Sequence, residues 1–101
     1  MVWDLGKAMQ KKEEFESARL MDFEFRQRAR AIRLLLAVLG LEDPALARDL
    51  VAETDAAVMD RVTEASGRPR AEVEAGYQTC LGEARRQLIA ERGDPSPVRL
   101  G

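Results

Sequence analysis

The chain has 101 residues, enough for one domain with one modest core, and its 46% hydrophobic and 34% charged residues fit a globular protein rather than a disordered one. A formal net charge of −2 lacks the basic excess by which nucleic-acid binders neutralise phosphates, which argues against nucleic acid as a partner. Only 5% of residues are aromatic, strand-type runs are absent, and Ala, Leu, Glu and Arg dominate, so the composition reads all-α.

The opening stretch, MVWDLGKAMQKK, has no apolar h-region, and no signal peptide is expected. The longest apolar run, Leu34 to Leu39, is far short of the roughly 20 residues that span a bilayer, so no membrane insertion is expected. A lone Cys80 cannot form an internal disulfide, which favours a reducing, cytoplasmic setting.

A first helix is predicted from near Asp4 to just before Gly40, where a left-handed cap is expected after the last apolar residue. At about 1.5 Å per residue it would be ~50 Å long, more than a domain of this size is wide, so its first part must project or bend. Met21, Phe25, Ala29, Ile32, Leu36 and Leu39 recur at steps of three and four and predict one inward stripe. Between Lys7 and Arg19 the apolar residues are only Ala8, Met9, Phe15 and Ala18, among charges, so residues 1–20 form a thinly apolar arm. The acid-first pairs Asp22→Arg26 and Glu24→Arg28 explain two arginines of RQRARAIRLLLAVLG, and Arg30 and Arg33 are expected to flank the stripe with their methylene stems.

Asp43 as N-cap and Pro44 at the first helical position predict a second helix, with Leu46, Leu50 and Val51 inward. Adjacent capping residues at Thr54 and Asp55 predict a break, then a third helix with Val58, Met59 and Val62 inward and Gly67 as its stop. The last helix, about Arg70 to Glu91, carries Val73, Tyr77, Leu81, Ala84 and Leu88 at helical spacing, with Cys80 beside them. Gly93 ends it, and residues 93–101 have the composition of a disordered tail. The bundle proper is thus expected over residues 21–92.

Chemistry is sparse. There is no histidine, which removes the commonest general base and metal ligand, and one cysteine cannot assemble a zinc site within the chain. No phosphate-cradling glycine loop is present. The acids Glu13, Glu14, Glu16, Glu72 and Glu74 read as solvated surface, Cys80 as a buried thiol, and Arg68 with Arg70 as an exposed basic loop rather than a phosphate clamp. No enzyme activity, cofactor or metal is expected. In the arm, Trp3, Leu5, Met9 and Phe15 are sparse apolar anchors of the kind that dock a helix into a partner's groove, and Lys7, Lys11 and Lys12 suit an acidic partner surface.

The run FESARLMDFEFRQRARAIRLLLAVLG, Phe15 to Gly40, resembles the zeta subunit, or ATPase inhibitor, of alphaproteobacterial F-type ATP synthases. The likeness lies in Phe15-Glu16, Asp22, Phe25-Arg26, Ala29-Arg30, Arg33 and Leu34-Leu35, and extends to DLVAETD and AEVEAGYQTCLGEARRQL. It implies a small four-helix bundle whose N-terminal helix enters a catalytic interface of the ATP synthase head, against catalytic and central-stalk subunits, and blocks ATP hydrolysis. Of the arm residues, the family pattern supports Phe15 and Glu16. The extreme N-terminus departs from the family, which leaves open a helical interaction or adaptor domain that kept the bundle without inhibition. A monomer is expected when free.

Overall fold

The computed structural model describes the backbone of residues 5–95 and the side chains of residues 18–95. Among the described residues there are four helices and no strand: α1 Leu5–Val38, α2 Pro44–Val51, α3 Asp55–Ser66 and α4 Arg70–Arg92. The protein is a small all-α bundle with a long N-terminal helix.

Local chemistry sets each boundary. At the end of α1, Leu41 N–H donates to Leu36 O at 2.8 Å and Gly40 N–H to Ala37 O at 3.2 Å, with Gly40 at φ +72°. This paired 6→1 and 5→2 closure is a Schellman motif, and Leu41 packs onto the core as the motif's apolar partner. Asp43 Oδ1 accepts the Ala45 N–H at 2.9 Å and Pro44 needs no donor at the first position, so α2 starts where capping predicts. Thr54 Oγ1 accepts from Ala57 N–H at 3.2 Å and opens α3, which ends at left-handed Gly67. The Pro69 carbonyl accepts from Glu72 and Val73 to start α4, and Gly93 N–H closes it on Ile89 O.

α1 is the central element, packed chiefly on α4, with α2 against α1 and α3 against α4. The core gathers Ala31, Ile32, Leu35 and Leu36 of α1 with Leu50, Val58, Val62, Val73, Tyr77 and Ala84 from the other helices. Ala31 and Ala84 are both fully buried, and a Cβ on Gly76 would lie only 3.4 Å from Leu35 Cδ1. Small residues therefore let α4 sit close on α1.

The inward stripe read from Met21 to Leu39 needs correction at its N-terminal end. Ala29, Ile32 and Leu36 are buried, but Met21 is 69% and Phe25 58% exposed. The cause is the length of α2: eight residues reach about 12 Å, enough to cover only the C-terminal part of that stripe. Phe23, two residues from Phe25 and so on the other side of the helix, is the buried one of the two described phenylalanines, at 6% exposure. It packs with the Arg85 guanidinium of α4 5.7 Å from its ring centroid. N-terminal to Phe23, α1 continues without a break to Leu5, about 27 Å at 1.5 Å per residue. The inward face expected of α2 is also shifted: Leu50 and Ala47 are buried, whereas Leu46 and Val51 are half-buried.

Candidate partner-binding surface

Of the eight arm residues chosen from sequence, Trp3 lies outside the described residues. Leu5, Lys7, Met9, Lys11, Lys12, Phe15 and Glu16 fall on the α1 backbone, but their side chains lie outside the described set. The tail from residue 96 onward is outside it as well.

The described part of α1 carries the large exposed hydrophobics of this surface: Leu20, Met21, Phe25 and Val38. Met21 and Phe25 are one turn apart and lead into a groove of about 670 Å³ between α1 and α2. Phe25, Ala29, Arg33 and Leu36 form its α1 wall, and Pro44, Ala47, Arg48 and Val51 its α2 wall. Glu42 and Asp43 close the end beside the Gly40 turn. Alanines at positions 29 and 47 and the ring of Pro44 are too small to fill the space between the two axes, which explains why a groove remains.

The arginines divide into two groups. Arg28, half-buried, is the hub of the fold's polar side. Its Nε donates to Asp55 Oδ1 at 2.8 Å, its Nη1 to Val51 O at 2.6 Å and its Nη2 to Glu53 O. The same Asp55 oxygen accepts the Tyr77 hydroxyl at 3.3 Å, so one guanidinium ties α1 to the α2–α3 turn and to α4. The expected Glu24–Arg28 pair is therefore not formed. The α2–α3 turn offers two carbonyls that lost their helical donors, and these outcompete an exposed carboxylate. Asp22–Arg26 is formed as expected, at 2.9 Å. Arg30 reaches Glu91 Oε2 at 2.6 Å instead of only shielding apolar surface, and Gln27 donates to the Leu81 carbonyl at 3.0 Å.

Arg68 and Arg70 are also engaged: Arg68 with Glu72 at 2.8 Å, Arg70 with Glu74 at 3.0 Å and with Asp60. Their charge is neutralised in place, and Glu72 and Glu74 are exposed surface as expected. Arg33 and Arg48, by contrast, are exposed on the two groove walls and have no acidic partner among the described residues.

Burial pushes the Cys80 thiol up, so it carries little thiolate at neutral pH. Burial, and secondarily the Asp55 carboxylate, raise the Tyr77 phenol above its ordinary value. Among the described residues no cluster of three acids, cysteines or histidines could hold a metal ion, and no helix is long and apolar enough to cross a membrane. Comparison with protein-family models finds no match, and neither do comparisons with curated proteins and with solved structures.

Two functional features escaped sequence reasoning. Phe23 was legible in principle, because Phe23, Gln27, Ala31 and Leu35 recur at steps of four and define a second face of α1. The groove had no sequence signal, since it depends on where an eight-residue helix comes to lie.

Proposed function

We propose that this protein is a regulatory binding protein rather than an enzyme, and that it works by docking α1 on a partner. The observation that carries this reading is that the backbone of α1 runs about 27 Å past Phe23, the first buried side chain among the described residues, while Leu20, Met21 and Phe25 are left uncovered. Large exposed aromatics and methionines on a helix are what hot-spot contacts are made of. The resemblance of Phe15–Gly40 to the ATPase-inhibitor family makes the F-type ATP synthase head the first partner to try, with Trp3, Leu5, Met9, Phe15 and Glu16 as contacts and Lys7, Lys11 and Lys12 toward acidic surface. In this reading the helix wedges into a catalytic interface and opposes hydrolytic rotation.

Titration of the full chain, and separately of residues 1–20, into ATPase-competent membranes tests it. Loss of ATP hydrolysis at up to tens of micromolar is expected, on the order of weak-to-moderate helix docking; unchanged hydrolysis with both sinks the inhibitor reading. The position of Met21, Phe25 and the groove within the bundle, outside residues 1–20, favours a second reading, an adaptor domain with another partner. The single tryptophan, Trp3, separates the two in the free protein. Red-shifted, readily quenched emission fits an arm available for docking, and blue-shifted, protected emission fits one packed on its own bundle.

A further inference from the structure

We propose that α2 is a lid on α1: it opens as a unit about residues 41–43, and the Arg28 guanidinium is the latch that holds it shut. The consequence drawn below for docking rests on the function proposed above; the opening itself is a property of the free chain.

Packing sets α2 apart. Its eight residues make about two turns, and isolated helices shorter than roughly 12 residues are marginal in water, so its neighbours must hold it. They hold it loosely. α2 packs chiefly on α1, and of its residues only Ala47 and Leu50 are buried. The groove of about 670 Å³ runs along its α1 side. On its other flank a shallow cleft of about 440 Å³ lies between Leu46 and the α3 residues Arg61, Glu64 and Ala65. By comparison, α4 buries Val73, Tyr77, Cys80, Ala84 and Leu88 along its length. Weakly packed elements of this kind open locally at a lower free energy than the whole fold.

The two ends of α2 are held differently. Before it, the hydrogen bonds are local: Leu41 N–H to Leu36 O at 2.8 Å, and Ala45 N–H to Asp43 Oδ1 at 2.9 Å. They cap helix ends and tie nothing across the bundle, so residues 41–43, which belong to no helix, can pivot. After α2 the tie is long-range. Arg28 donates from α1 to Val51 O at 2.6 Å and to Glu53 O, and it pairs with Asp55 Oδ1 at 2.8 Å. The closed turn also carries a cost. Glu53 Oε1 accepts from Arg61 at 2.7 Å, but Glu53 Oε2 is shut from solvent with no donor among the described residues. Opening admits water to that oxygen and removes the cost.

Opening uncovers Ala29 and Leu36, the buried α1 side chains that line the groove. They follow Met21 and Phe25 at steps of four and seven on the same face of α1. The exposed strip thereby lengthens from about 6 Å to about 22 Å, enough for three or four anchors of a docked helix. A partner that binds the longer strip favours the open state.

Amide exchange of the full chain in increasing urea, below its unfolding transition, tests the lid. The amides of Ala47, Leu50, Val51 and Glu53 should exchange at least about tenfold faster than those of Tyr77, Cys80 and Ala84. Their rates should depend little on urea, because a local opening exposes little surface. Equal protection and equal urea dependence in the two sets would mean that α2 opens only with the whole fold, and would overturn the proposal. Arg28→Gln should speed the α2 amides by about tenfold or more, and Arg28→Lys, which keeps the charge but not the planar fork, by less. If the α4 amides accelerate in these variants while those of α2 do not, Arg28 stays bonded in the open state and is not the latch. The urea series on the unaltered chain decides the lid whether or not the variants fold. The two readings fail separately, since the exchange rates involve no partner and the ATPase titration does not report on α2.

Discussion

The two parts of α1 share one helix and one register but differ in what covers them. From Ala29 to Leu36 the helix is clamped between α2 and α4, and Ile32, Leu35 and Leu36 are essentially inaccessible. Four residues earlier the same apolar face is open, and Phe25 stands in solvent while Phe23, across the helix, is buried against α4. Helix formation and helix burial are therefore separate events here. Good helix formers carry α1 onward, and stability comes only from the part that a neighbour reaches.

The sharpest way to break this comparison is to truncate the two phenylalanines. Phe23→Ala should cost about 3 kcal/mol, as buried aromatics do, whereas Phe25→Ala should stay within about 0.5 kcal/mol. Urea unfolding midpoints measure both, and equal costs would mean that Phe25 is covered in solution.

Next in size is a contrast of arginines. Arg28→Ala leaves the Val51 and Glu53 carbonyls without their side-chain donor and the Asp55 carboxylate with the Tyr77 hydroxyl but no cation, and about 1–3 kcal/mol should be lost. Arg26→Ala removes one exposed i,i+4 pair and should cost at most about 0.5 kcal/mol. A double-mutant cycle with Asp55→Asn should find coupling for Arg28 and none for Arg26.

A smaller effect is expected in alkali. Burial first, then Asp55, holds the Tyr77 phenol above its ordinary 10.0, so the folded state retains that proton to higher pH than the unfolded chain. The corresponding stability is complete below pH 10.0 and is lost as pH rises through the folded value. Tyr77→Phe should flatten the fall in unfolding midpoint above that pH; any slope that remains has the sign expected for Cys80, whose thiol burial also raises. If the slope is the same in both proteins, Tyr77 does not report the Arg28–Asp55 junction.

The smallest change should be a gain. A Cβ at Gly82, in the interior of α4, would meet no atom within 4 Å, so Gly82→Ala should add about 0.5–1 kcal/mol by helix propensity alone. A loss instead would show that this face of α4 is more crowded than the bundle suggests.

Much of the architecture was readable from local chemistry. Gly40, Asp43-Pro44, Thr54-Asp55, Gly67 and Gly93 mark the helix ends because each supplies a left-handed turn, a capping oxygen or a residue that needs no donor. The candidate surface was less readable. Met21 and Phe25 carry the same periodicity as Ala29 and Leu36, so nothing in their spacing separates exposed from buried. The partner of Arg28 was misread because Glu24 is close in sequence, while Val51, Glu53 and Asp55 approach only through the α2–α3 turn.

The sequence by itself determined that this chain is helical, where its helices start and stop, and that it carries no histidine for acid–base or metal chemistry. Those properties depend on residues within about four positions of one another or on composition alone. Tertiary structure alone decided which phenylalanine is buried, which arginine knits the bundle, and that a groove with two uncommitted arginines remains beside α2. Those outcomes depend on how far a short helix can reach along a long one, and no local spacing encodes that distance.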